Sequence, residues 1–299
     1  VYKRQLLVHA LEEKVSAALP IAHRVAKGTA PVPVRALAWR AVCAVSSRGP
    51  AVLAEAIGDS KELTLRIHLL RALCDHPAGR EHLKTLSSGK DTVGALARFE
   101  LLRDEGGLVA AQAAGEALRL GHPIVVDYVL IRAAEDVKAR KRQAEFYIAP
   151  LLAYIRSVPP QPQQMQAEHF RAARAATILT DMGTPAALSG LKEILASEYS
   201  AVVRAAAAGL LKSANPAACE LARPLLKSPY DELYSDAMLV LGRFGDKAAV
   251  EPLRKVLSRP KGRSPALLAL VSWYYLKTQL LTRRTAEKLA EIVAPTPTP

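Results

Sequence analysis

Apolar and small residues recur at helical spacing along most of this chain, and between residues 165 and 259 the pattern repeats every 31 residues. Two sets of equivalent positions illustrate the repeat, namely Leu179, Leu210 and Leu241, and Ala175, Ala206 and Ala237. Self-similarity at a period of this size is typical of repeat proteins, in which each unit buries its apolar face against its neighbours. Alternating β-branched runs are nearly absent, so the pattern predicts helices rather than a sheet.

The predicted helices are separated by short turns that contain glycine, proline or acidic residues. In the first half of the chain they are expected at 6–19, 34–48, 51–57, 62–74, 77–86, 92–103, 108–120 and 123–135. The regular region predicts helices at 165–182, 186–196, 200–212, 217–227, 231–243 and 247–257, followed by 265–279 and 282–293. We interpret the proline- and glutamine-rich segment 159–164 as a loop within one array that spans 6–293, and 294–299 as a Pro/Thr-rich tail.

Several stretches resemble the second helix of a HEAT repeat, which reads as an acidic or small cap, then Val-Arg, then small residues and leucine. They are residues 198–211 and the pairs Val34-Arg35 and Leu65-Arg66. The turn 245–253, which reads Gly-Asp-Lys-Ala-Ala-Val-Glu-Pro-Leu, is similar to the bacterial HEAT subtype that is also found in phycobilisome lyases. The resemblance is most specific over 165–259, although Ala173 and Ser235 stand where the family has arginine.

The resemblance implies an all-α fold, an α-solenoid of antiparallel helix pairs wound into a right-handed superhelix. It also implies that the Val-Arg helices line the concave side and that the protein is a binding surface rather than an enzyme. The composition agrees with close helix packing, because alanine is abundant and only 5% of the residues are aromatic.

The chain carries a net charge of +13 and has a pI of about 9.8. This charge permits contact with nucleic acid, anionic lipid or acidic proteins, and it also fits a solvated basic surface. The three cysteines form no CxxC motif, which argues against a zinc site or a disulfide framework. No apolar run reaches the roughly 18 residues of a membrane span. Residues 1–5, VYKRQ, resemble a sequencing-adapter scar and are expected to be non-native, and the expected location is cytoplasmic.

Three groups of side chains are candidates for binding a partner. The first group is expected on the concave helices and comprises Trp39, Arg40, Arg71, Lys212, Arg243 and Trp273. The second is a basic row on the other set of helices, Lys192, Arg223, Arg254 and Lys255. The third is a compact basic patch, Lys138, Arg140, Lys141 and Arg142, which the neighbouring acids partly neutralise. For each group the alternative is a structural role: aromatic packing in the core, or solvated cations whose stems cover apolar surface.

The arginines that follow an apolar residue at one repeat position also have two interpretations. Arg35, Arg66 and Arg204 form either a basic ladder that faces a ligand or structural staples that bond loop carbonyls and acids of the adjacent repeat. The chain has no His-Glu dipeptide, no HExxH motif, no glycine-rich phosphate loop and no serine nucleophile elbow. We therefore expect no cofactor and no metal.

Three functions follow from these observations. The first is a non-catalytic HEAT-repeat scaffold that binds a protein partner through its concave surface. The second is nucleic-acid binding along a basic face, since cationic rows can track phosphates. The third is a phycobilisome-lyase-like or chaperone role toward a client protein.

Overall fold

The computed structural model describes residue 17 and residues 19–46, 48–140, 142–159, 166–198 and 200–246. Most of the predicted helix 6–19, the predicted helices beyond residue 246, and segments 1–5 and 294–299 lie outside these described residues. The chain divides into two compact units, Val1–Val129 and Leu130–Pro299. The single array predicted over 6–293 stays a prediction.

The first unit is helical at almost every position that the sequence predicted. Its helices are α1 (Leu19–Lys27), α2 (Val32–Val45), α3 (Gly49–Asp59), α4 (Leu63–Cys74), α5 (Gly79–Ser87), α6 (Thr92–Arg103) and α7 (Gly107–Arg119). Helix α8 (Pro123–Lys138) contains the border between the units. The predicted cap at Asp91 is present, because its carboxylate accepts a hydrogen bond from Gly94 N at 2.9 Å.

After α8, the described residues of the second unit form six α-helices and two 3-10 helices, and one of the α-helices is shorter than predicted. These elements include the 3-10 helix Arg142–Tyr147, α9 (Ile148–Ser157), α10 (Ala167–Met182), α11 (Pro185–Leu195), α12 (Ala201–Lys212), α13 (Ala218–Ala222) and α14 (Asp231–Phe244). The helix predicted at 217–227 changes after α13 into a second 3-10 helix, Arg223–Lys227. Pro224 accounts for the change, since proline has no backbone N–H and its ring crowds the carbonyl four residues earlier.

Within each unit the helices form two ranks, and the helices of one rank pack side by side. In the first unit, α2, α4 and α6 form the first rank, and α3 and α5 form the second. In the second unit, α10, α12 and α14 form the first rank, and α9, α11 and α13 form the second. The helices that carry the pairs Val34-Arg35, Leu65-Arg66 and Val203-Arg204 belong to the first rank. The predicted all-α, solenoid-type stacking is confirmed within each unit.

The 31-residue spacing of Arg35 and Arg66 has a structural explanation. Arg35 Nη1 donates to Glu62 Oε2 at 2.7 Å, and Arg66 Nη2 donates to Asp91 Oδ2 at the same distance. Arg66 Nε also donates to Ile57 O at 2.9 Å. Both arginines therefore act as the predicted staples between neighbouring helix pairs. Exposed pairs of this kind contribute about 0–1 kcal/mol each, so apolar packing holds the ranks together.

A close helix contact lies between α10 and α12, where both helices carry small residues. A Cβ atom on Gly209 would overlap the Ala173 carbonyl oxygen and lie 2.6 Å from the Ala176 Cβ. The Thr177 hydroxyl bridges the contact, because its oxygen lies 2.9 Å from Gly209 O and 3.0 Å from Ala173 O. Gly209 is therefore required by the space between two helices and not by its backbone conformation.

We predict that Gly209→Ala destabilises the protein by about 1–3 kcal/mol, because the added methyl overpacks this contact. The matched control is Gly115→Ala in α7, where an added Cβ meets no atom within 4 Å. That substitution should stabilise by about 0.5–1 kcal/mol, since alanine favours a helix interior over glycine. Urea unfolding followed by far-UV circular dichroism measures both. Equal effects of the two substitutions would contradict the close approach.

Candidate functional site

A groove between the first-rank helices α2 and α4 brings together two of the predicted binding residues. Arg40 and Arg71 occupy equivalent positions 31 residues apart, and both line this groove, whose volume is about 440 Å³. The remaining lining residues are Pro33, Val34, Ala36, Leu37, His68, Ala72 and Asp75. Two arginines and one acid at the end of α4 thus line this groove together with apolar side chains.

The groove is cationic at neutral pH because of its arginines and not because of His68. Partial burial and, secondarily, the charge of Arg71 lower the pKa of His68 below its usual value. His68 is therefore neutral at pH 7, although much of its side chain is exposed. The planar, permanently charged guanidinium groups of Arg40 and Arg71 suit the recognition of carboxylates.

A second groove, between the first-rank helices α12 and α14, has the opposite character. Its volume is about 400 Å³, and it is lined by Arg204, Ala208, Asp231, Glu232, Ser235 and Asp236. Burial raises the pKa of Asp236 to about 6, the charge of Arg204 opposes this shift, and Glu232 adds a smaller upward contribution. Arg204 thus faces acids of the neighbouring first-rank helix, and the groove as a whole is acidic.

The other predicted first-rank residues have different environments. Trp39 is only 7% exposed, and its ring lies edge-on to the His23 ring with centroids 5.9 Å apart. Trp39 therefore lies in the core and not on a binding surface, where the sequence analysis placed it. Lys212 is exposed in the last turn of α12. Arg243 is exposed but donates to Leu211 O at 2.6 Å and lies over the Phe244 ring. Trp273 lies outside the described residues.

The described members of the predicted basic row are Lys192 and Arg223, and one of these two cations is engaged within the protein. Lys192 is exposed on α11. Arg223, at the start of the second 3-10 helix, donates to Asp246 Oδ2 through Nε at 3.1 Å and Nη2 at 2.7 Å. Arg254 and Lys255 lie outside the described residues. Arg223 therefore acts as a staple, and the described part of the row retains one exposed lysine.

Two cations of the predicted basic patch, Lys138 and Arg140, have side chains that the structure describes. Lys138 and Arg140 line a cavity of about 840 Å³ in the second unit. Glu135 pairs with Arg132 at 3.1 Å, and Asp136 accepts a hydrogen bond from the Tyr147 hydroxyl at 2.9 Å. Lys141 lies outside the described residues, as does the side chain of Arg142.

Sequence reasoning missed one exposed aromatic residue on a first-rank helix. Phe170 of α10 is 57% exposed. Arg174, one helical turn later, is also exposed, so the two side chains share a face of α10. The repeat alignment carried the signal, because Phe170 is equivalent to Ala201 and Glu232, so a large apolar side chain replaces a small or charged one.

The described residues contain no cluster of three or more histidine, cysteine, aspartate or glutamate side chains that could hold a metal ion. None of the described helices has the length and apolarity needed to cross a membrane.

One comparison with known protein families agrees with the repeat pattern. Residues 233–259 match the family model described as PBS lyase HEAT-like repeat, which confirms the predicted resemblance to this HEAT subtype. A crystal structure of an engineered protein from a structural genomics consortium is 17% identical, with 97% of this chain and 93% of that chain covered and a TM-score of 0.37. No curated protein matches this chain.

We predict that Asp236→Asn stabilises the protein at pH 7.5 by about 1 kcal/mol. The raised pKa means that the folded state favours the protonated carboxyl, so stability falls as the pH rises from about 4 to about 6. The amide avoids this loss, and its advantage should disappear at pH 4. Thermal unfolding at both pH values measures the effect, with Asp231→Asn on the exposed first turn of α14 as the control. An advantage for Asp236→Asn that is the same at both pH values would contradict the raised pKa.

Proposed function

We propose that this protein is a non-catalytic HEAT-like scaffold that binds a protein partner through the exposed face of its first-rank helices. Stacked helix pairs present one side of each helix in a repeating register, and such surfaces suit extended contacts with another protein. On this proposal, the first-rank face corresponds to the concave side that the family resemblance implies.

The groove between α2 and α4 is the observation that carries this proposal. Arg40 and Arg71 are held one repeat apart over the apolar side chains of Val34 and Leu37. Arginine beside apolar surface is typical of residues that dominate binding energy at protein interfaces. A partner segment with carboxylates at a matching spacing, flanked by apolar residues, fits this groove.

The first-rank face of the second unit supports a partner of mixed charge. Phe170 offers an exposed aromatic anchor, and the groove of Asp231, Glu232 and Asp236 suits a lysine or arginine of the partner. Opposite charges on the two grooves would select the partner by its charge pattern rather than by total charge.

Nucleic-acid binding is less well supported, because several of the regularly spaced arginines are engaged within the protein. Arg35, Arg66 and Arg223 each donate to a carboxylate at 2.7 Å. A cation that already holds a carboxylate has less to gain from a phosphate. A lyase-like or chaperone role would use the same face. It differs from the scaffold role because the client protein would be chemically or conformationally changed when it is released.

We predict that Arg40→Glu combined with Arg71→Glu weakens binding to the partner at least about tenfold. Affinity capture with the full chain from an extract of the source cells identifies the partner, and titration with the recovered partner gives Kd. The control, Lys84→Glu with Arg119→Glu on α5 and α7, makes the same change in charge outside the first rank.

Unchanged affinity of the Arg40 and Arg71 variant, or an equal loss in the control, would contradict the proposal. Binding of the unmodified chain to random-sequence duplex DNA at about 50 mM salt, with a steep loss as salt increases, would favour the nucleic-acid function instead.

A further inference from the structure

A cavity in the second unit shares no lining residue with the groove between α12 and α14. Its volume is about 840 Å³, which is within the usual range for pockets that bind small organic molecules. It is formed at the turns that connect first-rank to second-rank helices, by the end of α8, the end of α10 and the turn before α13.

The backbone at the end of α8 places two cations on the rim of this cavity. Helix α8 ends at Lys138, and Arg140 then adopts a left-handed conformation with φ of 53°, which is uncommon for a residue other than glycine. Both side chains are exposed and line the cavity. Among the described residues, no carboxylate forms an ion pair with either of them.

Part of the cavity lining is apolar, and one carboxylate oxygen of the acid on its wall accepts two hydrogen bonds. Val137, Ile178 and Met182 provide the apolar surface. Asp181 Oδ1 accepts hydrogen bonds from Ser213 Oγ at 2.6 Å and from Ala214 N at 2.8 Å. These bonds fix Asp181 to the neighbouring turn, so it shapes the cavity wall. Glu145 is the remaining acid of the lining, and it is exposed.

We propose that this cavity binds a small amphipathic organic anion, such as an aromatic carboxylate or sulfonate. The apolar body of the ligand lies on Val137, Ile178 and Met182, and its anionic group is held by Lys138 and Arg140. An apolar floor with a few converging polar groups is the usual composition of a small-ligand site. Glu145 opposes the bound anion and limits its affinity.

The methionines allow a direct test with the full chain. It has three of them, at 165, 182 and 238. Met182 lines the cavity, whereas Met238 is fully buried in α14. The probe is naphthalene-2-sulfonate, titrated into protein labelled with ¹³C at the methionine methyl groups, with signals assigned by Met→Leu substitution. We expect a saturable shift of the Met182 signal from the aromatic ring, and an unchanged Met238 signal, which also reports an intact fold.

Charge variants test whether the cations at the rim of the cavity hold the anionic group of the probe. Lys138→Glu with Arg140→Glu should weaken the affinity about tenfold or more, and Glu145→Gln should strengthen it. The matched control, Lys192→Glu with Lys227→Glu, makes the same change in charge on exposed second-rank residues and should leave the affinity within about twofold. The neutral analogue 2-naphthalenemethanol should bind about tenfold more weakly than the sulfonate.

The absence of a Met182 shift would overturn the proposal. So would equal affinity of the rim variant and the unmodified chain, an equal loss in the matched control, or equal binding of the neutral analogue.

Discussion

The close approach of neighbouring first-rank helices is the constraint on which the rest of the structure depends. Gly209 of α12 meets Ala173 and Ala176 of α10 so closely that even one methyl group would collide. Helices can pack at such short distances only where both surfaces are small. Because a fixed spacing recurs with the 31-residue period, side chains at equivalent positions of successive repeats become spatial neighbours, as Arg40 and Arg71 do.

That register also gives the two arginine positions of each repeat different surroundings. Arg35 and Arg66 lie near the starts of their helices. Each forms an ion pair at 2.7 Å with the residue that precedes the next first-rank helix, Glu62 for Arg35 and Asp91 for Arg66. Arg40 and Arg71 lie five residues further along the same helices and line a groove instead. One repeat unit therefore supplies a staple at one position and a potential contact for a partner at another.

The helical pattern predicted the fold well because it depends on local spacing. Helix bounds followed from periodicity and turn residues. The repeat distance left Arg66 as either a staple or part of a basic ladder, and its bonds to Ile57 and Asp91 show that it is a staple. Trp39 and Arg223 show where such reasoning ends. Burial of the indole against His23 and the bond from Arg223 to Asp246 depend on contacts between helices, which spacing within one helix does not determine.

The cavity beside α8 was beyond sequence reasoning for a similar reason. The basic run predicted a patch that adjacent acids partly neutralise, and in the structure Glu135 contacts Arg132 while Asp136 contacts Tyr147. On a helix, neighbours in sequence face different directions, so adjacent opposite charges need not pair. The fold thus separates charges that the sequence places together, and it leaves Lys138 and Arg140 at the rim of an apolar cavity.

Site-specific photo-cross-linking tests the central claim, partner binding through the first-rank face, most directly. Benzoylphenylalanine is introduced at Leu37 or Phe170, on first-rank helices, and separately at Leu108 of α7, which is 74% exposed. Irradiation with the captured partner should give a discrete adduct from Leu37 or Phe170 and none from Leu108. An adduct from Leu108 alone would contradict the account and would indicate that the partner binds near α7 instead.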